Sequence, residues 1–398
     1  MAKKYHHHLT EAVLLVLEKI FVQGVALDMA LEESVKAHKK WGGRDRRNVS
    51  ELVFETTRWL RLHLSKAGHQ WKDEQKLDSA LVKKALILQL KKDWGELPPA
   101  LIEAWGPLES NAGESSAADK ASMTDFLFER ALKSFGEQTD KVLVVANKVA
   151  PVFIRPNLMR TNLERLQAML EKEGINSRVV ADSLALDERR GLKEFALKYY
   201  GLFEIQDINS QKIAKVVDPQ RGDNILDACA GRGGKSLLMA DILRGKGSIL
   251  ALDIDQQKLQ QCNDRARKAG HSIIRTQVSP EASTMTQWTG QFEKVLLDVP
   301  CSGVGIIRRH PERKWLLPSP AMTELLATQK KLLEDYAFTV KKDGHLIYST
   351  CSFLPEENDL QIEEFLKCHP EFSLVKKYLW SPLDDEGDIL FAADMVRA

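Results

Sequence analysis

No apolar stretch in this sequence approaches the ~20 residues that a membrane-spanning helix requires, and the N-terminal segment lacks the basic start, apolar run and small-residue cleavage site of a secretion signal. The five cysteines, Cys229, Cys262, Cys301, Cys351 and Cys368, include no Cys-x-x-Cys pair. That removes the usual zinc and dithiol spacings, so no metal site is expected, and a cytoplasmic protein with reduced thiols is. An excess of one charge is missing as well: 57 Lys and Arg stand against 56 Asp and Glu, a formal net charge of +1. There is no global basic field to advertise nucleic acid, and any such contact must be a local patch. The run His6, His7, His8 beside Lys3 and Lys4 is read as a solvated N-terminus rather than a metal-binding tract.

What is present is a chain of 398 residues, 43% hydrophobic, enough to build two or three packed domains. From Leu9 to about Leu64 the apolar residues recur at helical spacing, as in Ala12, Leu15, Val16 and Ile20, then Leu27, Ala30 and Leu31, then Leu52, Val53, Thr56 and Leu60. The pattern continues through Leu77 to Leu90 and Asp125 to Leu132, with a break at Leu97-Pro98-Pro99. The stretch Ser110 to Ser122, rich in Ser, Ala, Gly and Asn, reads as a loop. After about Asn147 the texture changes. Val152 to Arg155 reads as a short strand followed by a helix over Asn162 to Glu173, in a small mixed α/β unit.

From Asp223 strands and helices alternate, which points to a parallel sheet with helices on both faces. Strands are expected at Asn224 to Asp227, at Ser248 to Leu252 ending at Asp253, at Lys294 to Leu297 ending at Asp298, and at His345 to Tyr348 just before Ser349-Thr350-Cys351. Reactive and polar residues thus fall at strand C-termini, where open α/β sheets place ligands. The first strand runs into Ala228-Cys229-Ala230-Gly231-Arg232-Gly233-Gly234-Lys235. Its glycines allow a sharp turn and close approach to a ligand at a helix N-terminus, and Asp253 suits ribose hydroxyls. A Walker phosphate loop fails, because Cys229 stands where the first glycine of Gly-x-x-x-x-Gly-Lys-Ser belongs. Cys301, in Asp298-Val299-Pro300-Cys301-Ser302-Gly303, and Cys351 both sit at strand-to-loop transitions, whereas Cys262 and Cys368 lie in helical patterns as small hydrophobes and Cys229 reads as packing in the turn.

Four segments together resemble the RNA cytosine-5 methyltransferases of the RsmB/Nop/Sun family. The cofactor turn, the Asp298 to Gly303 motif, the Tyr348 to Ser352 motif with Pro355-Glu356-Glu357-Asn358, and Arg308-Arg309-His310-Pro311 with Lys314-Trp315 all match. The likeness covers roughly the last 250 residues, from Phe153-Ile154-Arg155-Pro156-Asn157 onward and including Gln206-Asp207. More loosely, residues 9 to about 140 resemble the NusB-like helical RNA-binding domain of the bacterial RsmB branch, best at Arg44-Asp45-Arg46-Arg47 to Glu51-Leu52-Val53. The resemblance implies an all-α NusB-like domain over 1–142, a small α/β RNA-binding or linking subdomain over 143–215, and a Rossmann-like class I methyltransferase over 216–398.

It also implies the chemistry: S-adenosyl-L-methionine as cofactor, and a cytosine in RNA, small-subunit ribosomal RNA foremost, as substrate; a monomer is the default expectation. Cys351 would attack carbon 6, Cys301 would assist release, Asp298 would hold the proton at cytosine N3, and Lys235 would favour the thiolate. Cys229, Ala230, Gly231, Arg232, Gly233, Gly234, Lys235, Asp253, Ser279 and Asp298 form the implied cofactor set. Arg308, Arg309, Arg313 and Lys314 suit phosphate contacts. Two departures stand out: Gly231-Arg232 replaces the family's Ala-Pro, and Ser279 replaces an acidic residue. Competing readings are a DNA cytosine-5 methyltransferase with Cys301 as nucleophile, which leaves Cys351 without a task, a tRNA methyltransferase, and a non-catalytic RNA-binding factor.

Overall fold

The computed structural model describes residues 7–73, 75–105, 114–186, 188–315 and 319–398. The chain divides into two compact units, one formed by 1–147 with 307–318 and the other by 148–306 with 319–398. His6, and positions 110–113 of the expected 110–122 loop, lie outside the described residues.

The first unit is helical, with principal helices at His7–Phe21, Leu27–Ala37, Gly43–Arg58, Ser79–Trp94 and Asp125–Phe135. Val13, Val16, Leu17 and Ile20 of the first helix close on Leu52, Val53, Val82 and Leu86, the apolar stripe that helical spacing demands. Leu15, expected on that stripe, is 58% exposed. The loop reading also needs correction, because Ala117–Ala121 is a helix. Ser116 accepts from the Asp119 N–H while Asp119 accepts from the Ser116 N–H, a reciprocal cap that stabilises even a short helix in loop-like composition.

In the second unit a small antiparallel sheet, ordered β2-β3-β1-β4, comprises β1 (Val152–Pro156), β2 (Arg178–Val180), β3 (Ser183–Leu186) and β4 (Phe203–Ile205). A seven-stranded sheet follows: β5 (Asn224–Asp227), β6 (Ser248–Asp253), β7 (Ile274–Val278), β8 (Phe292–Asp298), β9 (Val340–Thr350), β10 (Phe372–Trp380) and β11 (Leu390–Arg397), in the order β10-β11-β9-β8-β5-β6-β7. The pairs from β7 through β9 are parallel, and β11 and β10 are antiparallel additions. The parallel strands are apolar on both faces. Leu226, Val295, Leu297, Leu346 and Tyr348 pack with Leu333, Tyr336 and Phe365, while the alternate residues Ile225, Leu296 and Ile347 pack with Leu237, Ala240 and Ala266. This is the two-residue period of strands covered by helices on both sides. Strand order reverses between β5 and β8, so a crevice is set outside their C-terminal ends, where Asp227 and Asp298 emerge, with Cys351 following the neighbouring β9.

Candidate active site

The turn after β5 is built on two glycines with left-handed backbone, Gly231 (φ 55) and Gly233 (φ 78). A side chain at Gly233 would bring a Cβ to 2.3 Å from Cys262 Sγ, so the turn packs on the helix Gln256–Ala269 only because that position is bare. Asp253, at the end of β6, accepts the Gly231 N–H at 2.8 Å and the Asp255 N–H at 2.9 Å, one through each carboxylate oxygen. A carboxylate has about four acceptor positions, so Asp253 retains capacity for further donors. Beside it Ile254 is 85% exposed, an apolar side chain that the acid-after-strand pattern overlooks. Ser279 follows β7, with its N–H on the Asp253 carbonyl at 3.0 Å. Burial pushes the nearby Tyr336 hydroxyl up to about 12, with Ser279 working against the rise.

Asp227 is fully enclosed, with Oδ2 accepting from Ser236 Oγ at 2.6 Å. Burial pushes its carboxyl up to about 7, against the Ser236 hydrogen bond, and the charge of Asp298 adds to the rise. Lys235 pairs with Asp298 at 2.5 Å, and Ser349 Oγ donates to the other Asp298 oxygen at 2.9 Å. Burial works against the Lys235 charge, but Asp298, then Asp227 and Cys351, hold it above its ordinary value. Lys235 and Ser236, the residues that suggested a phosphate loop, are thus engaged by two aspartates.

Cys301 and Cys351, which the sequence separates by a strand and a helix, meet with their sulfurs 3.2 Å apart, and the Cys351 N–H points to Cys301 Sγ at 3.3 Å. The hydrogen bond to Cys351, then burial, raises the Cys301 thiol well above its ordinary value. Buried Glu357 ties the two cysteine loops together. It accepts from the Ser302 N–H at 2.7 Å, Ser302 Oγ at 2.6 Å and Gln329 Nε2 at 3.0 Å. Asn358 accepts from Thr350 Oγ1 at 2.6 Å and donates to the Ser352 carbonyl at 3.0 Å. Ser349, Glu357 and Asn358 sit inside segments already singled out, but Gln329 lies mid-helix and carries no sequence signal.

Other expectations change. Cys262 is buried, its thiol pushed up to about 11 by desolvation, but Cys368 is exposed rather than a core hydrophobe. Cys229 is raised further, by burial and then by Asp227, Asp298 and Asp253, as suits packing in the turn. Of the four basic residues expected at phosphates, Arg308 and Lys314 are buried, whereas Arg309 is partly exposed and Arg313 exposed. Lys314 is 1% exposed, and within the helical unit its ammonium donates to the carbonyls of Arg58 and Ser122 and to Asn147 Oδ1, each at 2.8 Å. Arg308 is also buried, its carbonyl accepting from Arg58.

Among the described residues no group of three His, Cys, Asp or Glu side chains could hold a metal ion, and no helix is long and apolar enough to cross a membrane. A family model described as 16S rRNA methyltransferase RsmB/F matches residues 214–387, and one described as an RsmF/B-like methyltransferase ferredoxin-like domain matches 123–192. Ribosomal RNA small subunit methyltransferase B of Escherichia coli O6:K15:H31 is 32% identical over 286 residues, covering 68% of this chain and 66% of that protein. Among solved structures, PH0851 shares the fold at a TM-score of 0.77 and 23% identity over 99% of this chain and all of its own. NSun6 from Pyrococcus horikoshii, solved with SFG, follows at 0.60 and 18% over 69% of this chain and 98% of its own. Through these matches to its sequence and fold, the chain belongs to the RsmB/F family of rRNA methyltransferases, with S-adenosyl-L-methionine as its cofactor.

Proposed function

We propose that this protein methylates carbon 5 of a cytosine in RNA, small-subunit (16S) ribosomal RNA in particular, with Cys351 as covalent nucleophile. The observation that carries this reading is the pair of sulfurs 3.2 Å apart beyond two adjacent parallel strands, at the same sheet end as the Lys235–Asp298 pair. The helical unit, 1–147 with 307–318, is assigned as the NusB-like RNA-binding domain expected over 1–142, because the helix Thr139–Ala146 runs across that expected boundary. Residues 148–215 are assigned as an RNA-binding or linking subdomain and 216–306 with 319–398 as the catalytic domain, in a cytoplasmic monomer.

The turn fits the cofactor. Residues Cys229 to Lys235 offer a bare, glycine-lined backbone, and Asp253 keeps acceptor capacity for ribose hydroxyls beside the exposed apolar Ile254 and Val278 and next to Ser279. Asp227 Oδ1 is buried without a hydrogen-bond partner, a vacancy that suits an amino group. S-adenosyl-L-methionine, when bound, supplies an electrophilic methyl group.

Carbon 5 of cytosine is a poor nucleophile, and addition of the Cys351 thiolate at carbon 6 moves the double-bond pair onto carbon 5. Asp298, fixed by Lys235 and Ser349, holds the proton at N3 that makes carbon 6 electrophilic. After methyl transfer the carbon 5 proton passes to Cys301, its bonding pair restores the double bond, and Cys351 leaves as thiolate. Cys301 suits this second role. Its thiol is raised first by Cys351 itself, so conversion of Cys351 to a thioether removes that influence and leaves Cys301 easier to ionise.

Labelled methyl transfer to unmodified total RNA with bisulfite mapping tests the reading, and one modified cytosine in small-subunit RNA is expected. A tRNA product would redirect the substrate, and no transfer despite cofactor binding would favour a non-catalytic factor. With 5-fluorocytosine RNA, Cys351→Ala should form no covalent complex, whereas one that persists in this variant would sink the nucleophile assignment. Cys301→Ala should accumulate enzyme-bound RNA.

A further inference from the structure

The cofactor turn is held from behind by residues that none of its motifs contains. Arg265, on the helix Gln256–Ala269, donates Nη1 to the Arg232 carbonyl at 2.5 Å and Nη2 to Glu204 Oε2 at 2.5 Å. The same peptide unit is caught at its other end, where the Gly233 N–H donates to the Ala230 carbonyl at 2.9 Å. Because a peptide group is planar, these two bonds together fix the orientation of the Arg232–Gly233 plane. Glu204 belongs to β4, so the anchor of this brace comes from the small sheet. Arg155 of β1 makes a parallel connection, pairing with Asp241 at 2.5 Å and donating to Gln206 Oε1 at 2.8 Å.

We propose that Arg265, steered by Glu204, is a positioning residue that holds the cofactor turn in its binding conformation; this rests on the reading of that turn as the S-adenosyl-L-methionine site. The need for a brace follows from the residues at the turn. Gly231 carries maximal backbone freedom, and Arg232 stands where the resembling family has proline, whose ring would have restricted the chain covalently. Here the restriction is supplied from outside by a guanidinium. Its planar fork reaches a carbonyl and a carboxylate at once, which the single ammonium of lysine does less well. The brace also makes cofactor affinity depend on the small sheet, through Glu204.

The test is S-adenosylhomocysteine binding by calorimetry, together with cofactor KM and kcat on RNA, for the native protein, Arg265→Met, Arg265→Lys and Glu204→Gln. Releasing the carbonyl should weaken binding and raise cofactor KM by about tenfold in Arg265→Met. Arg265→Lys and Glu204→Gln should fall between it and the native protein, and kcat at saturating cofactor and the KM for RNA should stay near native. Native-like binding in Arg265→Met would overturn the proposal. So would a fall in kcat at unchanged cofactor KM, the mark of a smaller folded fraction. Glu204→Gln, which keeps an acceptor at that position, decides the matter if Arg265→Met does not fold. Absence of binding by the native protein would overturn the reading of the turn, and this inference with it.

Discussion

At the scale of single residues, Asp227 makes the strongest claim on pH. Its carboxyl is pushed up to about 7 by burial, from a usual 3.8, and its Oδ1 has no hydrogen-bond partner. Between these two values the folded chain holds a proton that the unfolded chain has lost. Asp227 therefore contributes most to stability below about 3.8, and that contribution is lost as pH rises toward about 7. The cofactor's amino group, if seated at Oδ1 as proposed, would favour the carboxylate, so binding would expel the proton whenever the free protein carries it. Affinity for S-adenosyl-L-methionine should climb by up to about tenfold per pH unit below about 7 and level off above it. Calorimetry in buffers of different ionisation heats should find proton release on binding near about pH 6 and little near about pH 8. Asp227→Asn should flatten both curves, and a retained pH dependence in that variant would assign the titration to another group.

At the scale of elements, the site is made by two loops that start at the ends of β8 and β9 and are tied together by Glu357. Replacing this carboxylate by alanine leaves the Ser302 N–H, Ser302 Oγ and Gln329 Nε2 without their shared acceptor, and buried donors stripped in this way cost about 2–5 kcal/mol. Glu357→Ala should lower the urea midpoint accordingly, and Glu357→Gln, which keeps one acceptor oxygen, should lower it less. Equal midpoints for the two variants would show that the acceptor is not what holds the loops. The strands behind these loops were legible because apolar runs such as Val295-Leu296-Leu297 end abruptly at Asp298, and Leu346-Ile347-Tyr348 at Ser349-Thr350-Cys351. Their partners were less so. Gln329 shares its helix with other polar residues and becomes functional only where tertiary packing brings it to Glu357. The helix at Ala117–Ala121 was missed because its cap, Ser116 with Asp119, is made of the same small polar residues that signal a loop.

At the scale of the whole molecule, chain order and spatial membership part company over residues 307–315. In sequence they follow the Cys301 loop, yet they pack with the helical unit. Composition hides this, since a run with Arg308, Arg309, Arg313 and Lys314 reads as a solvated face, and burial of Lys314 depends on acceptors at Arg58, Ser122 and Asn147, far away in sequence. Trp315 adds a hydrogen bond from Nε1 to the Thr57 carbonyl at 2.8 Å. Burial, then the charge of Arg58, pulls the Lys314 ammonium well below its ordinary 10.5. Over the interval between that lowered value and 10.5 the unfolded chain binds a proton that the folded chain does not, so stability rises with pH through the interval and is lost as pH falls. Lys314→Met should abolish this alkaline rise. It also strands three buried acceptors, at about 1–3 kcal/mol each before relaxation, so the helical unit should open more easily. Hydrogen exchange should show faster loss of protection in the helix Gly43–Arg58, with β8 and β9 as the internal reference. An unchanged alkaline rise in Lys314→Met would mean that another group carries it, and unchanged exchange in Gly43–Arg58 would mean that the three acceptors find new donors once the ammonium is gone.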